Sequence, residues 1–175
     1  MNVMRFVLLS LIYFVVVSPI WPIGENPTLG DPFVIVNVNT NELAYIQDGK
    51  IKDVYKIATG KIGDETPLGT FTVTVKAVDP YFRRKNISGG DPMNPLGTRW
   101  IGFDARDTDG RTYGIHGTNQ PETIGHAVTA GCIRLPNELV EKLYEMVPLG
   151  TTIHIINEDK PFDTIACEFG AITCR

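Results

Sequence analysis

The chain has 175 residues, 43% hydrophobic and 21% charged, with a formal net charge of -4. That length fits one domain, the composition excludes a disordered chain, and the acidic balance lacks the basic footprint of a nucleic-acid binder. Its 17 glycines and 12 prolines favour many turns and short strands over long helices.

Arg5 precedes an apolar run from Phe6 to Ile20, interrupted only by Ser10, Tyr13 and Ser18. A run of about 15 residues is short for a spanning helix, which needs ~20, and suits the core of a signal peptide. Residues 1–24 are therefore expected to be an export signal. Pro19, Ile20, Trp21 and Pro22 stand where small residues are wanted for cleavage, so an uncleaved membrane anchor is the alternative, and a buried hydrophobic helix the blander one.

Phe33 to Val38 is a β-branched run and reads as a strand. After the Asn39-Thr40-Asn41 turn, Glu42 to Gln47 reads as its hairpin partner, and Val54 to Thr59 as the third strand of a meander. Thr70 to Val78 alternates polar and apolar residues, the pattern of a half-buried strand. Asp79 to Thr98, with Arg83-Arg84-Lys85, paired glycines and three prolines, is expected to be an irregular excursion of the kind used as a lid or binding loop. Trp100 to Phe103 and Tyr113 to His116 read as short strands. Asn119 to Thr129 has room for one helical turn. Glu138 to Met146 carries Leu139, Val140 and Leu143 at helical spacing, between Pro136-Asn137 and Pro148, and is the one principal helix. Thr151 to Ile156 reads as the last strand. The expected organisation is a mainly β sandwich or barrel over residues 30–157, followed by a tail, 158–175.

Three cysteines are present: Cys132, Cys167 and Cys174. In an exported chain an odd count suggests one pair and one free thiol. Cys167 and Cys174 are close enough in sequence to close a small loop in the tail, leaving Cys132 free, with three reduced cysteines as the alternative.

The chemistry concentrates in Ile115-His116-Gly117-Thr118 and Thr129-Ala130-Gly131-Cys132-Ile133-Arg134. A thiol becomes a strong nucleophile as thiolate, and an imidazole can take its proton. Gly117 allows close backbone approach, so that a carbonyl can orient His116. Gly131 allows backbone N–H groups to face an incoming carbonyl as an oxyanion hole. Arg134, two positions past Cys132, would share its face in a strand and either lower the thiol pKa or bind a substrate carboxylate. The blander readings are a buried Cys132, a structural His116 and a surface ion pair at Arg134.

The pattern His116-Gly117-Thr118, Gly125, then Thr129-x-Gly131-Cys132-Ile133-Arg134 resembles the signature of the L,D-transpeptidase catalytic domain, the YkuD-type fold. Sixteen positions separate His116 from Cys132, within that family's range. Thr66-Pro67-Leu68-Gly69-Thr70-Phe71, Trp100-Ile101-Gly102 and Tyr113-Gly114-Ile115-His116 resemble further family elements, so the likeness runs from about Phe33 to about Asn157. The resemblance implies a YkuD-like β fold and an exported acyltransferase at the cell wall or the outer face of the cytoplasmic membrane. Cys132 would attack the bond between a diacid third residue and terminal D-alanine of a peptidoglycan tetrapeptide stem, and a second stem's amine would resolve the thioester. His116 would act as base and then acid, oriented by the Gly117 carbonyl. Thr129, Gly131, Arg134 and Tyr113 would serve the oxyanion or the substrate. Water as acceptor, making an L,D-carboxypeptidase, and a non-catalytic wall-binding module are the alternatives. No cofactor, metal or nucleic acid is implied, and the chain is expected to be a monomer. One departure is Ala130, where many members carry His. His126 reads as solvent-facing and His154 as structural. Arg83, Arg84 and Lys85 read either as a contact for anionic wall polymers or as a solvated turn, and Trp100 and Tyr113 either as groove lining or as core.

Overall fold

A computed structural model describes residues 28–174; the expected export segment, 1–24, lies outside the described residues. Ten strands run in chain order: β1 (Phe33–Asn37), β2 (Glu42–Gln47), β3 (Lys50–Lys56), β4 (Thr59–Gly60), β5 (Gly69–Val78), β6 (Arg99–Phe103), β7 (Tyr113–His116), β8 (Ala127–Thr129), β9 (Ile133–Arg134) and β10 (Thr152–Ile156). Among the described residues two α-helices accompany them, α1 (Asn137–Met146) before β10 and α2 (Phe162–Glu168) after it. Eight strands form one curled sheet in the order β3-β2-β1-β10-β5-β6-β7-β9, and β4 pairs with β8 in a two-stranded ribbon.

The β1–β2–β3 meander forms as the sequence suggests, with an earlier third strand. Asp48 and Gly49 both take positive φ, at 53° and 66°, in a tight turn that returns the chain to pairing at Lys50. β1 runs parallel to β10 and antiparallel to β2. Its residues are buried on both faces, which is why it reads as an unbroken apolar run instead of an alternation.

Val34 and Val36 join the larger core, with Leu43, Ile101, Phe103 and Ile115 from the sheet and Val140 and Leu143 from α1. Each fully buried Val or Leu of this kind contributes about 1.5–3 kcal/mol. Phe33 and Ile35 point the other way, into a second cluster with Ala44, Ile46 and Ile156, closed by Ile165 and Ala166 of α2 and by Ala171.

That second cluster corrects the expectation of a single helix. The tail carries α2, a short helix whose apolar positions are too few to stand out in sequence but which covers the outer face of β1 and β2. Cys167 and Cys174 are bonded across it, with Cα atoms 5.1 Å apart. Among the described residues no helix is long and apolar enough to cross a membrane.

Candidate functional site

β7 and β9 run parallel, with Ile115 opposite Ile133 and His116 opposite Arg134. Carried back two residues, that register sets Cys132 beside Gly114. Neighbours across a sheet point to the same face, and so do residues i and i+2. The pairing therefore brings Cys132, His116 and Arg134 onto one face, the thiol and imidazole as diagonal neighbours. Arg134 is clamped by its backbone on both sides. It exchanges N–H···O bonds with Ala58 (2.9 and 3.0 Å), while Leu135 N donates to His116 O at 2.9 Å.

His116 is buried, 4% exposed, with its ring stacked on Trp100 at 5.6 Å between centroids. Trp100 is itself fixed by Nε1 donating to Gly110 O at 2.8 Å. Its indole lies where a side chain at position 114 would project, so Gly114 leaves room for it. His116 Nδ1 is 2.6 Å from Gly117 O. Because a carbonyl only accepts, that contact places the proton on Nδ1 and leaves Nε2 as the acceptor. Burial pushes the imidazole pKa down to about 4, the Arg134 charge adding to the effect, while the Gly117 and Leu96 carbonyls favour the protonated ring.

Cys132 is the free cysteine among the described residues and is half-buried. Its Sγ donates to Thr112 O at 3.4 Å. Burial pushes the thiol pKa up, opposed by the Gly114 N–H and by the charges of Arg84 and Arg134. At neutral pH the resting pair is thus a thiol and a neutral imidazole.

The turn before Cys132 is held from within. Gly131 has φ 101°, a conformation L side chains avoid, and a Cβ there would press on Tyr113 Cε1 at 3.2 Å and Glu65 O at 3.4 Å. The buried Thr129 hydroxyl accepts from Gly131 N at 3.2 Å and donates to Cys132 O at 2.5 Å. The N–H of Gly131 is therefore engaged within the turn. Among the described residues no hydrogen bond engages the Cys132 N–H. Half-buried Tyr113 packs beneath the turn, with the Arg106 guanidinium 5.5 Å from its ring centre. Thr129 and Tyr113 thus brace the turn before Cys132.

A groove of about 560 Å³ opens beside Arg134. Phe82, Ile87, Met93 and Pro95 of the 79–98 excursion form its apolar wall, with Lys85, Asn119, Gln120 and Arg134 as its polar lining. The excursion thus builds a wall beside the site. His126 is exposed, and His154, on β10, is tied to β5 by Thr70 Oγ1 at 2.8 Å and packs against the Phe169 ring. Among the described residues no group of three or more His, Cys, Asp or Glu is placed to hold a metal.

In sequence, Asn137 is legible only as part of a helix start. Its Oδ1 accepts from Thr118 N at 3.0 Å and fills the space where a Cβ at Gly117 would project. It fixes the peptide whose carbonyl holds His116. Leu96 and Thr112 carry no signal in sequence, and the placement of Arg84 and Gly114 beside Cys132 is equally hidden there, since nothing short of the strand register shows what they face.

A family model described as the L,D-transpeptidase catalytic domain matches residues 31–155. The Bacillus subtilis protein YqjB, named for L,D-transpeptidase, is 57% identical over 169 residues, covering 97% of this chain and 95% of that protein. Among solved structures, the catalytic domain of the E. faecium L,D-transpeptidase aligns with TM-score 0.55 and 27% identity, over 74% of this chain and 99% of that one. The Ldtfm–avibactam carbamoyl enzyme aligns with TM-score 0.59 and 27% identity, over 74% of this chain. This chain covers half the length of that second structure.

Proposed function

From the premise that this chain belongs to the L,D-transpeptidase catalytic-domain family, we propose that it is a cysteine acyltransferase acting on peptidoglycan tetrapeptide stems. One observation carries the reading: the parallel β7–β9 register sets the free thiol of Cys132 on the same face as His116, whose Nδ1 is pinned by Gly117 O. Nε2 then accepts the thiol proton as Sγ attacks the carbonyl between the third residue and terminal D-alanine. The C–S bond forms, the oxyanion is met by the Cys132 N–H, and the imidazolium is supported by the Gly117 and Leu96 carbonyls. His116 returns the proton to the departing D-alanine amine as the C–N bond breaks, leaving a thioester. An amine of a second stem attacks that thioester, His116 takes its proton, and the thiol is regenerated.

A neutral imidazole is the form that can act as base, so the depressed pKa of His116 suits the first step. Export follows from the location of the substrate. The apolar run 6–20 supplies the route, and the Cys167–Cys174 bond fits an oxidising compartment.

The test is covalent trapping. A solved relative forms a carbamoyl enzyme with avibactam. Intact-mass measurement after incubation with a carbapenem should show one adduct per chain, absent in Cys132→Ala. A folded wild-type protein that takes up no adduct would sink the proposal.

A further inference from the structure

Arg134 is half-buried, and burial weakens its hold on its proton. Among the described residues its acceptors are neutral and distant: Nη1 reaches Gln120 Oε1 at 3.3 Å and Thr123 Oγ1 at 3.5 Å, and the buried Nε has no acceptor. The acid that acts on it is Glu122, on the short 3-10 turn Pro121–Thr123, through space alone. A guanidinium withdrawn from water with no carboxylate bonded to it is costly, and its planar donors match a carboxylate.

The groove beside it supplies what such an anion needs. Lys85 brings a second positive charge, Asn119 and Gln120 bring amide groups, and no Asp or Glu lines the groove. Lys85 does not hang on a loose loop. It ends the 3-10 turn Arg83–Lys85, closed by Asn86 at φ 55° and by Phe82 N donating to Ile87 O at 2.9 Å. The apolar wall of the excursion is suited to the methylenes of a ligand whose charged end reaches Arg134.

We propose that this groove is a subsite for a carboxylate of the acyl donor, gripped between Arg134 and Lys85. The subsite rests on the acyltransferase reading above and adds a selectivity to it: a donor whose carboxylate is replaced by a neutral carboxamide is a poor substrate. Two carboxylates of the donor share this chemistry, that of the diacid third residue and that of terminal D-alanine, and separate analogues distinguish them.

Three tetrapeptide stems decide the matter: the free diacid, its third-residue carboxamide, and the stem ending in D-alaninamide. Release of D-alanine or its amide gives kcat/KM for each. In wild type one of the two amides should fall by about tenfold or more relative to the diacid, the loss of a charge-assisted contact, and that analogue identifies the bound group. In Lys85→Ala the same ratio should shrink to about threefold or less; this side chain is exposed, and an unchanged melting temperature will confirm the fold. Equal rates for all three stems, or a ratio undiminished in Lys85→Ala, overturns the subsite while leaving the acyltransferase intact. No release from any stem, together with no carbapenem adduct, removes both.

Discussion

At the β1–β2–β10 end of the sheet, burial is almost wholly apolar: Phe33, Ile35, Ala44 and Ile46 meet Ile165 and Ala166 of the disulfide-closed tail. At the β7–β9 end the buried groups include His116, Thr118 and Thr129, the turn bends through positive φ at Gly131, and the buried Nε of Arg134 has no hydrogen-bond acceptor. The first region is held by side-chain area, which tolerates change. The second is held by backbone carbonyls, hydroxyls and missing β-carbons, and a single added methyl displaces a group that the chemistry needs.

The sharpest way to break this contrast is Gly117→Ala. The new methyl collides with Asn137 Oδ1 and crowds Thr98 N at 3.0 Å, so the carbonyl that pins His116 must shift. We expect kcat/KM for D-alanine release to fall by roughly 100- to 1,000-fold, the scale of a misplaced catalytic base. A variant within threefold of wild type would show that the Gly117 peptide is dispensable.

Acid should probe the same region through stability. The folded-state pKa of His116, about 4, lies below its ordinary value, so folding favours the neutral ring. Its contribution is complete above pH 6.5 and is lost as pH falls through 4, by about 3 kcal/mol at 1.36 kcal/mol per pKa unit. Urea titrations of wild type and His116→Gln between pH 7 and 4 isolate this part, because the carboxylates are common to both. Parallel curves would refute the burial argument.

The smallest effect belongs to the apolar end. Cys167→Ser with Cys174→Ser opens a short loop and should lower stability by about 2.5 kcal/mol from loop entropy, while kcat/KM stays within twofold. A large loss of activity would mean that the two ends are coupled.

The same division explains what could be read from the chain. β2 and β7 were legible to the residue, since β2 pairs in a hairpin with a clear turn and β7 ends in the His-Gly signature. α1 was legible from the spacing of Val140 and Leu143. β4, β8 and β9 have two or three residues each, too short for any periodicity, and α2 is read only once the outer face of β1 needs a cover. At the site, Cys132, His116 and Gly117 stood out through neighbouring glycines and family likeness. Asn137, Gly114 and the Trp100 stack did not, because their roles exist only through a pairing register between segments far apart in the chain.

The protonated state of the Cys132 sulfur has a consequence beyond turnover. A thiolate would be open to peroxide and stray electrophiles, and would be driven toward sulfenic acid. A sulfur that keeps its hydrogen bond to Thr112 O is a sluggish target for such reagents. On the acyltransferase proposal its nucleophilicity would emerge only as the imidazole takes the proton while Sγ attacks a bound carbonyl, so the resting protein would stay inert until its substrate arrives.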